Sequence, residues 1–194
     1  GVNATESTFK HLAKQHAIYH LAMHSKADSN NSKYSYFIFD NQRETIDDGK
    51  LFNYEIGTSM IESPMVVLSA CSTGAGKLYH GEGVMSLTRG FILAGASSVI
   101  STFWDVNDDA SAKIITDFYY QLSKGKSKDE ALRLAKLNYI RTTPPTYTKP
   151  TYWAAYELVG DSSPIKSNRI YLIYSGVLLL IGAVILYFIR SRRS

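Results

Sequence analysis

The 194-residue sequence is 45% hydrophobic and 20% charged, a composition that excludes a disordered chain and predicts an ordinary folded domain. The formal charge of +4 comes entirely from four arginines after residue 168, because residues 1–168 carry 17 basic and 17 acidic side chains. A neutral body lacks the surplus of cations that phosphate binding needs, so no nucleic-acid partner is expected. A single cysteine, Cys71, excludes an internal disulfide and any multi-cysteine zinc site.

The first forty residues show one helix pattern and two strand patterns. Asn3 and Glu6 have the spacing of a capping box, and residues 5–15 then predict an amphipathic helix. Short apolar runs at 17–22 and 34–39 are typical of strands, and a polar loop separates them.

The remainder of the body continues this alternation. After a short helix at 53–61, the predicted strands are 65–70, 98–104 and, as a strand or mixed element, 153–159. The predicted helices are 84–94, 109–123 and 127–141. Strands alternating with helices predict an α/β fold in which a largely parallel sheet is flanked by helices on both faces.

Three chemically capable side chains directly follow predicted strands. His24 comes after 17–22, Cys71 after 65–70 and Asp105 after 98–104. Because sites in parallel sheets form beyond the carboxyl ends of the strands, these residues are candidate site residues. A thiolate can attack a carbonyl while an imidazole handles the leaving group's proton, and the backbone N–H groups of Ser25 and Cys71 can bind the oxyanion.

Purely structural roles are alternatives for Cys71 and Asp105, and a structural role is expected for His20. A lone cysteine is commonly a small buried residue, and His20, within the strand pattern, is predicted to be a packed core histidine with a satisfied hydrogen bond. Asp105 fits a helix N-cap or a partner of the helix dipole as well as a substrate-pocket carboxylate for a basic P1 side chain. No metal-ligand spacing is present and no metal or cofactor is expected.

Longer motifs point to a family. Residues 20–25 read HLAMHS and resemble the HLATHG segment of the CHAT family, and residues 68–74, LSACSTG, resemble that family's LSACxTG segment. Further matches follow in family order within residues 3–160: GEGV (81–84), RGF (89–91), AGA (94–96), FWDV (103–106), FY (118–119) and YWAAY (152–156).

This resemblance implies a caspase/haemoglobinase-type fold over residues 1–163, with Cys71 as nucleophile and His24 as general acid/base of a cysteine endopeptidase. It also implies a protein or peptide substrate and a tetratricopeptide-repeat region earlier in the same protein, so that this chain is expected to be the C-terminal part of a longer one. Ser25 replaces the family's glycine, and a positive φ there would strain a serine. A catalytically weak or inactive CHAT module that acts in protein interaction or signalling is therefore the alternative.

The C-terminal end of the sequence predicts a membrane anchor. Residues 170–189 form twenty positions without a formal charge, long enough for a transmembrane helix, and a buried core helix is the alternative. Residues 164–169 are then a juxtamembrane linker and 190–194 a basic tail. Three arginines in that tail predict a single-pass protein with the tail in the cytoplasm and the body outside it.

Overall fold

Strands and helices alternate through the computed structural model, which describes residues 5–12, 18–28, 31–40, 48–69 and 82–165. In these ranges the strands are β1 (Tyr19–Leu21), β2 (Ser25–Lys26), β3 (Tyr36–Ile38), β4 (Lys50–Phe52), β5 (Val66–Leu68), β6 (Ser98–Thr102) and β7 (Tyr156–Gly160). The helices are α1 (Glu6–Leu12), α2 (Asn53–Thr58), α3 (Glu82–Leu93), α4 (Asp108–Ser123), α5 (Lys128–Thr142) and α6 (Pro150–Trp153).

The main sheet has the strand order β1-β5-β6-β7. The β1/β5 and β5/β6 pairs are parallel, and β7 joins β6 antiparallel. Every residue of β5 and β6 is buried, as their continuous apolar sequences require in a sheet covered on both faces. The prediction of an α/β fold with a parallel sheet flanked by helices is confirmed, with an antiparallel strand at one edge.

A second sheet was not predicted from the sequence. It is antiparallel, has the order β2-β3-β4, and begins four residues after β1 ends. Its strands β2 and β4 are two and three residues long, too short for the alternation of polar and apolar residues to identify them. The strand predicted at 34–39 is confirmed as β3, Tyr36–Ile38, but it begins later than predicted because Ser32–Tyr34 form a 3₁₀ turn.

The long helices α4 and α5 match their predicted ranges to within one residue at each end. The side chain of Asn107 caps α4 by accepting a hydrogen bond from the Ala110 N–H at 3.2 Å, and two aspartates occupy the first turn. The buried residues of α4 recur at helical spacing: Ala110, Ile114, Ile115 and Phe118. This apolar face fixes how the helix packs and leaves its other face for the surface.

Aromatic side chains connect elements that are distant in sequence. The ring of Phe91 in α3 lies 6.4 Å from that of Phe9 in α1 and 6.1 Å from that of Phe37 in β3, measured between centroids. All three side chains are buried. The second sheet is therefore attached to the main core through Phe37, which fixes its position beside the main sheet.

The fold class with a transmembrane helix, and the single-pass membrane localisation drawn from it, are corrected. Within the described ranges, no helix has both the length and the apolar character needed to cross a bilayer. The apolar run 170–189 lies outside those ranges, as do the linker after residue 165 and the basic tail. Its lack of charge indicated an anchor, but lack of charge shows only that a segment can be buried. The described residues form a mixed α/β domain.

Gly160, the last residue of β7, provides a test of the packing. Its φ is 97°, and an added Cβ would clash with the carbonyl oxygen of Ser97. We predict that Gly160→Ala lowers the free energy of unfolding by about 2 kcal/mol or more, because backbone strain and a steric clash act together. Urea unfolding measured by circular dichroism checks this.

The matched control is Gly57→Ala in α2, where an added Cβ meets no atom within 4 Å. This substitution should raise the free energy of unfolding by about 0.5–1 kcal/mol, since alanine favours helix over glycine. Equal midpoints for the two variants would contradict the packing described at Gly160.

Candidate active site

The pairing of β1 with β5 brings together the two segments that carry the predicted dyad. Tyr19 pairs with Val66 and Leu21 with Leu68 in parallel register, and the Ser69 N–H continues the ladder by donating to the Leu21 carbonyl at 3.2 Å. Both strands therefore end at the same edge of the sheet. His24 follows β1 at this edge, whereas Cys71 lies outside the described residues.

A cavity of about 610 Å³ opens at this edge. Its described lining comes from the end of β1 and the residues after it, from Ser69, from Ile38 and from the first turns of α4. His20 and His24 both line it, and both are exposed to solvent. The cavity thus places the predicted general acid/base in a space large enough for a side chain of a bound peptide.

The prediction that His20 lies in the core is wrong, because its side chain is exposed. The predicted hydrogen bond of His20 is present. Its Nε2 lies 2.7 Å from the Ser69 Oγ, and its ring lies 5.8 Å from that of Tyr119 in α4. Partial burial lowers the pKa of His20 below 6.5 and raises the pKa of Tyr119 to about 12, so both side chains are neutral at pH 7.

The contacts that Ser69 and Tyr119 make with His20 were not foreseen. Both fall within segments that resemble family motifs, LSACSTG and FY, but a motif does not show which of its side chains contact one another. The His20–Ser69 contact joins residues 49 positions apart, a separation that local sequence patterns do not reveal.

Ser25 occupies an unstrained strand position. The Ile38 N–H donates to the His24 carbonyl at 2.9 Å, so His24 and Ile38 form a hydrogen-bonded pair of the β2/β3 ladder. The next pair, Ser25 with Phe37, is therefore a non-hydrogen-bonded pair, and the Ser25 N–H points away from β3. No described non-glycine residue has a positive φ, which removes the conformational objection to serine here.

The acidic residues after β6 divide between two environments. Asp105 is exposed in the connection to α4 and does not belong to the described lining of the cavity. Asn107, not Asp105, caps the helix. Asp108, in the first turn of α4, lines the cavity. The structure thus brings His20, His24, Ser69 and Asp108 to one cavity, whereas Asp105 is not part of its described lining.

A side chain of β7, the strand at the other end of the strand order from β1, holds the start of α4. The buried Tyr156 of β7 donates its hydroxyl hydrogen to the Ser111 Oγ at 2.6 Å. Ser111 also lines the cavity, together with Ile115 and Thr116. This bond holds one wall of the cavity in place relative to the sheet. In the described ranges, no group of three or more histidine, cysteine or acidic side chains is arranged to hold a metal ion.

Two curated proteins align with part of the chain. Tetratricopeptide repeat protein 28 of Mus musculus is 29% identical to this chain over 103 residues, and its counterpart from Homo sapiens is 31% identical over 103 residues. Each alignment covers 53% of this chain and 4% of the relative. The chain therefore corresponds to a small part of the curated relatives that it matches.

A family model described as the CHAT domain matches residues 1–161. This range contains all the elements described above and both motifs on which the resemblance was based. The predicted family resemblance is thereby confirmed: the chain belongs to the CHAT domain family.

Proposed function

We propose that this CHAT domain is a cysteine endopeptidase in which Cys71 is the nucleophile and His24 the general acid/base. CHAT domains fall within the caspase-like cysteine peptidase superfamily. The observation that carries the proposal is the parallel pairing of β1 with β5. Both strands end on the same side of the sheet, His24 and Cys71 follow them in the sequence, and His24 lines the cavity there.

The reaction follows the chemistry of a Cys–His pair. The Cys71 thiolate attacks the carbonyl carbon of the scissile bond and forms a tetrahedral oxyanion. As the C–N bond breaks, His24 gives its proton to the departing amine and a thioester remains on Cys71. His24 then takes a proton from water as the water oxygen attacks the thioester. The C–S bond breaks, which regenerates the Cys71 thiolate, and the carboxylic acid product loses its proton to solvent.

Two backbone N–H groups are proposed to bind the oxyanion. One belongs to Cys71 and the other to Ser25, whose N–H is directed away from the β2/β3 ladder. Replacement of the family's glycine by serine retains this N–H. A preorganised donor of this kind stabilises charge that develops only in the transition state.

An acidic residue is proposed to receive a basic P1 side chain. The sequence directed attention to Asp105, but Asp108 is the carboxylate that lines the described cavity. A carboxylate in a confined site attracts lysine or arginine more strongly than the same group in open water. We assign the P1 contact to Asp108, with Asp105 as the competing candidate.

The proposed partner is a tetratricopeptide-repeat region of the same protein. Support comes from the names of the curated relatives, both tetratricopeptide repeat proteins. If the dyad is inactive, the domain instead acts as an interaction module that transmits a signal from such repeats. A module of that kind needs neither the thiol nor the imidazole.

Substitution of the dyad separates these two functions. We expect Cys71→Ala to abolish peptide hydrolysis and His24→Ala to lower kcat by about 10³-fold or more, because each removes a group that takes part in the transition state. His11→Ala, an exposed histidine on α1, is the control and should retain full activity. Steady-state hydrolysis of a fluorogenic peptide library measures all three. Hydrolysis that survives Cys71→Ala would exclude the proposed nucleophile.

Proline at position 25 tests the oxyanion donor. Ser25→Pro removes the N–H but breaks no bond of the β2/β3 ladder, so kcat should fall by about 10²–10³-fold while the thermal melt changes little. Ser25→Gly keeps the N–H and should leave kcat within about threefold. Equal kcat values for the proline and glycine variants would exclude Ser25 as a donor.

The P1 assignment is tested with paired isosteric variants. Asp108→Asn should reduce the preference for lysine or arginine at P1 by about tenfold or more, since the charge that pairs with the substrate is lost. Asp105→Asn should leave the preference unchanged. A P1-varied peptide library read by mass spectrometry measures both. The opposite pattern would transfer the assignment to Asp105.

A further inference from the structure

The bond between His20 and Ser69 lies where the β1/β5 ladder ends. Beyond it, the chain after β1 leads to His24 and the chain after β5 leads to Cys71. His20 is in β1, four positions before His24, and Ser69 follows β5, two positions before Cys71. The 2.7 Å contact between Nε2 and Oγ is therefore a side-chain link between the segments just before each continues toward its proposed catalytic residue.

The position of this bond indicates a role other than core packing. Leu21 and Leu68 belong to the buried hydrophobic cluster, whereas His20 and Ser69 alternate with them and project from the other face of the sheet. On that face His20 is exposed and Ser69 half-buried, and both line the cavity. Backbone hydrogen bonds already join β1 to β5, so the pairing of the strands does not depend on this link.

We propose that His20 is a positioning residue that acts through Ser69, holding the segment that leads to Cys71 at a fixed distance from the segment that carries His24. The inference rests on the proposed function and adds a residue to it. Small changes in the separation of reacting groups strongly reduce rates, so a link at this point has its main effect on the chemical step.

Two contacts keep the link in place. Tyr119 lies against the His20 ring, with the centroids 5.8 Å apart, and limits its rotation. A serine hydroxyl both donates and accepts hydrogen bonds, so Ser69 satisfies Nε2 in either tautomer of the neutral ring. The link therefore does not require one particular tautomer of His20.

A double-mutant cycle tests the link in the full 194-residue chain. We expect Ser69→Ala and His20→Leu each to lower kcat by about 10–100-fold, with KM within about threefold of wild type, because alignment and not binding is impaired. The double variant should be no slower than the slower single variant, since both substitutions break the same bond. His20→Gln, whose amide reaches the position of Nε2, should retain kcat within about threefold.

The matched control is Ser98→Ala. The Ser98 hydroxyl donates to the Pro64 carbonyl at 2.9 Å, a link between the β6 and β5 segments at the opposite edge of the same sheet. The same substitution there should change the thermal melt without changing kcat. A decrease in kcat equal to that of Ser69→Ala would overturn the inference, because it would show a general effect of lost stability.

Alkylation by iodoacetamide gives a second readout, since Cys71 is the only cysteine of the chain. If alignment with His24 is lost, the thiolate is stabilised less, and the midpoint of the pH–alkylation curve should rise equally in Ser69→Ala and His20→Leu. Multiplicative losses of kcat, unchanged kcat in both single variants, or an unchanged midpoint would overturn the role of His20.

The inference and the proposed function fail in different ways. A wild-type chain without Cys71-dependent hydrolysis would overturn both. Hydrolysis that requires Cys71 but is unaffected by the changes at His20 and Ser69 would overturn only the inference.

Discussion

The parallel pairing of β1 with β5 is the constraint on which the rest of the site depends. Parallel strands begin at one edge of a sheet and end at the other, so two chain segments that leave such a pair leave together. Here the register from Tyr19–Val66 to Leu21–Leu68 ends both strands at the same level. A slip of one position between the two strands would put the side chains of His20 and Ser69 on opposite faces of the sheet and so break their contact.

Other elements complete the walls around this edge. The second sheet follows β1 directly, and its attachment through Phe37 to the aromatic core holds Ser25 beside the end of the main sheet. From the other side, α4 is fixed by its Asn107 cap and by the Tyr156–Ser111 hydrogen bond. The cavity is thus formed by segments distant in sequence, each positioned by contacts outside the cavity itself.

The long elements could be predicted because their signals are local. Capping residues, apolar spacing and the glycine between α4 and α5 all lie within the helices or next to them, and the predicted ranges differ from the observed ones by at most one residue at each end. The strands β2 and β4 escaped prediction because two or three residues do not establish a period. The apolar run at 170–189 was interpreted as a membrane span from its length and lack of charge, but no helix of the described residues is long and apolar enough to cross a bilayer.

The sequence selects candidate residues for the site but does not show their contacts. His24 and Cys71 are selected because each follows an apolar strand within a family-like motif, and their catalytic roles stay a prediction. Because the neighbours of His20 in the sequence are apolar, it was predicted to lie in the core. In the structure β1 is an edge strand, and the face of β1 that carries His20 lines the cavity. Contacts such as His20–Ser69 depend on which strands become neighbours, and this requires the assembled sheet.

Covalent labelling at Cys71 tests the central claim most directly, namely that Cys71 and His24 form a catalytic pair at one sheet edge. A peptide acyloxymethyl ketone requires both a bound peptide and an aligned thiolate, and peptide mapping by mass spectrometry locates the adduct. We expect one adduct, on Cys71, formed rapidly by wild type and at least about a hundredfold more slowly by His24→Ala. Equal labelling rates with and without His24, or an adduct that persists in Cys71→Ala, would contradict it.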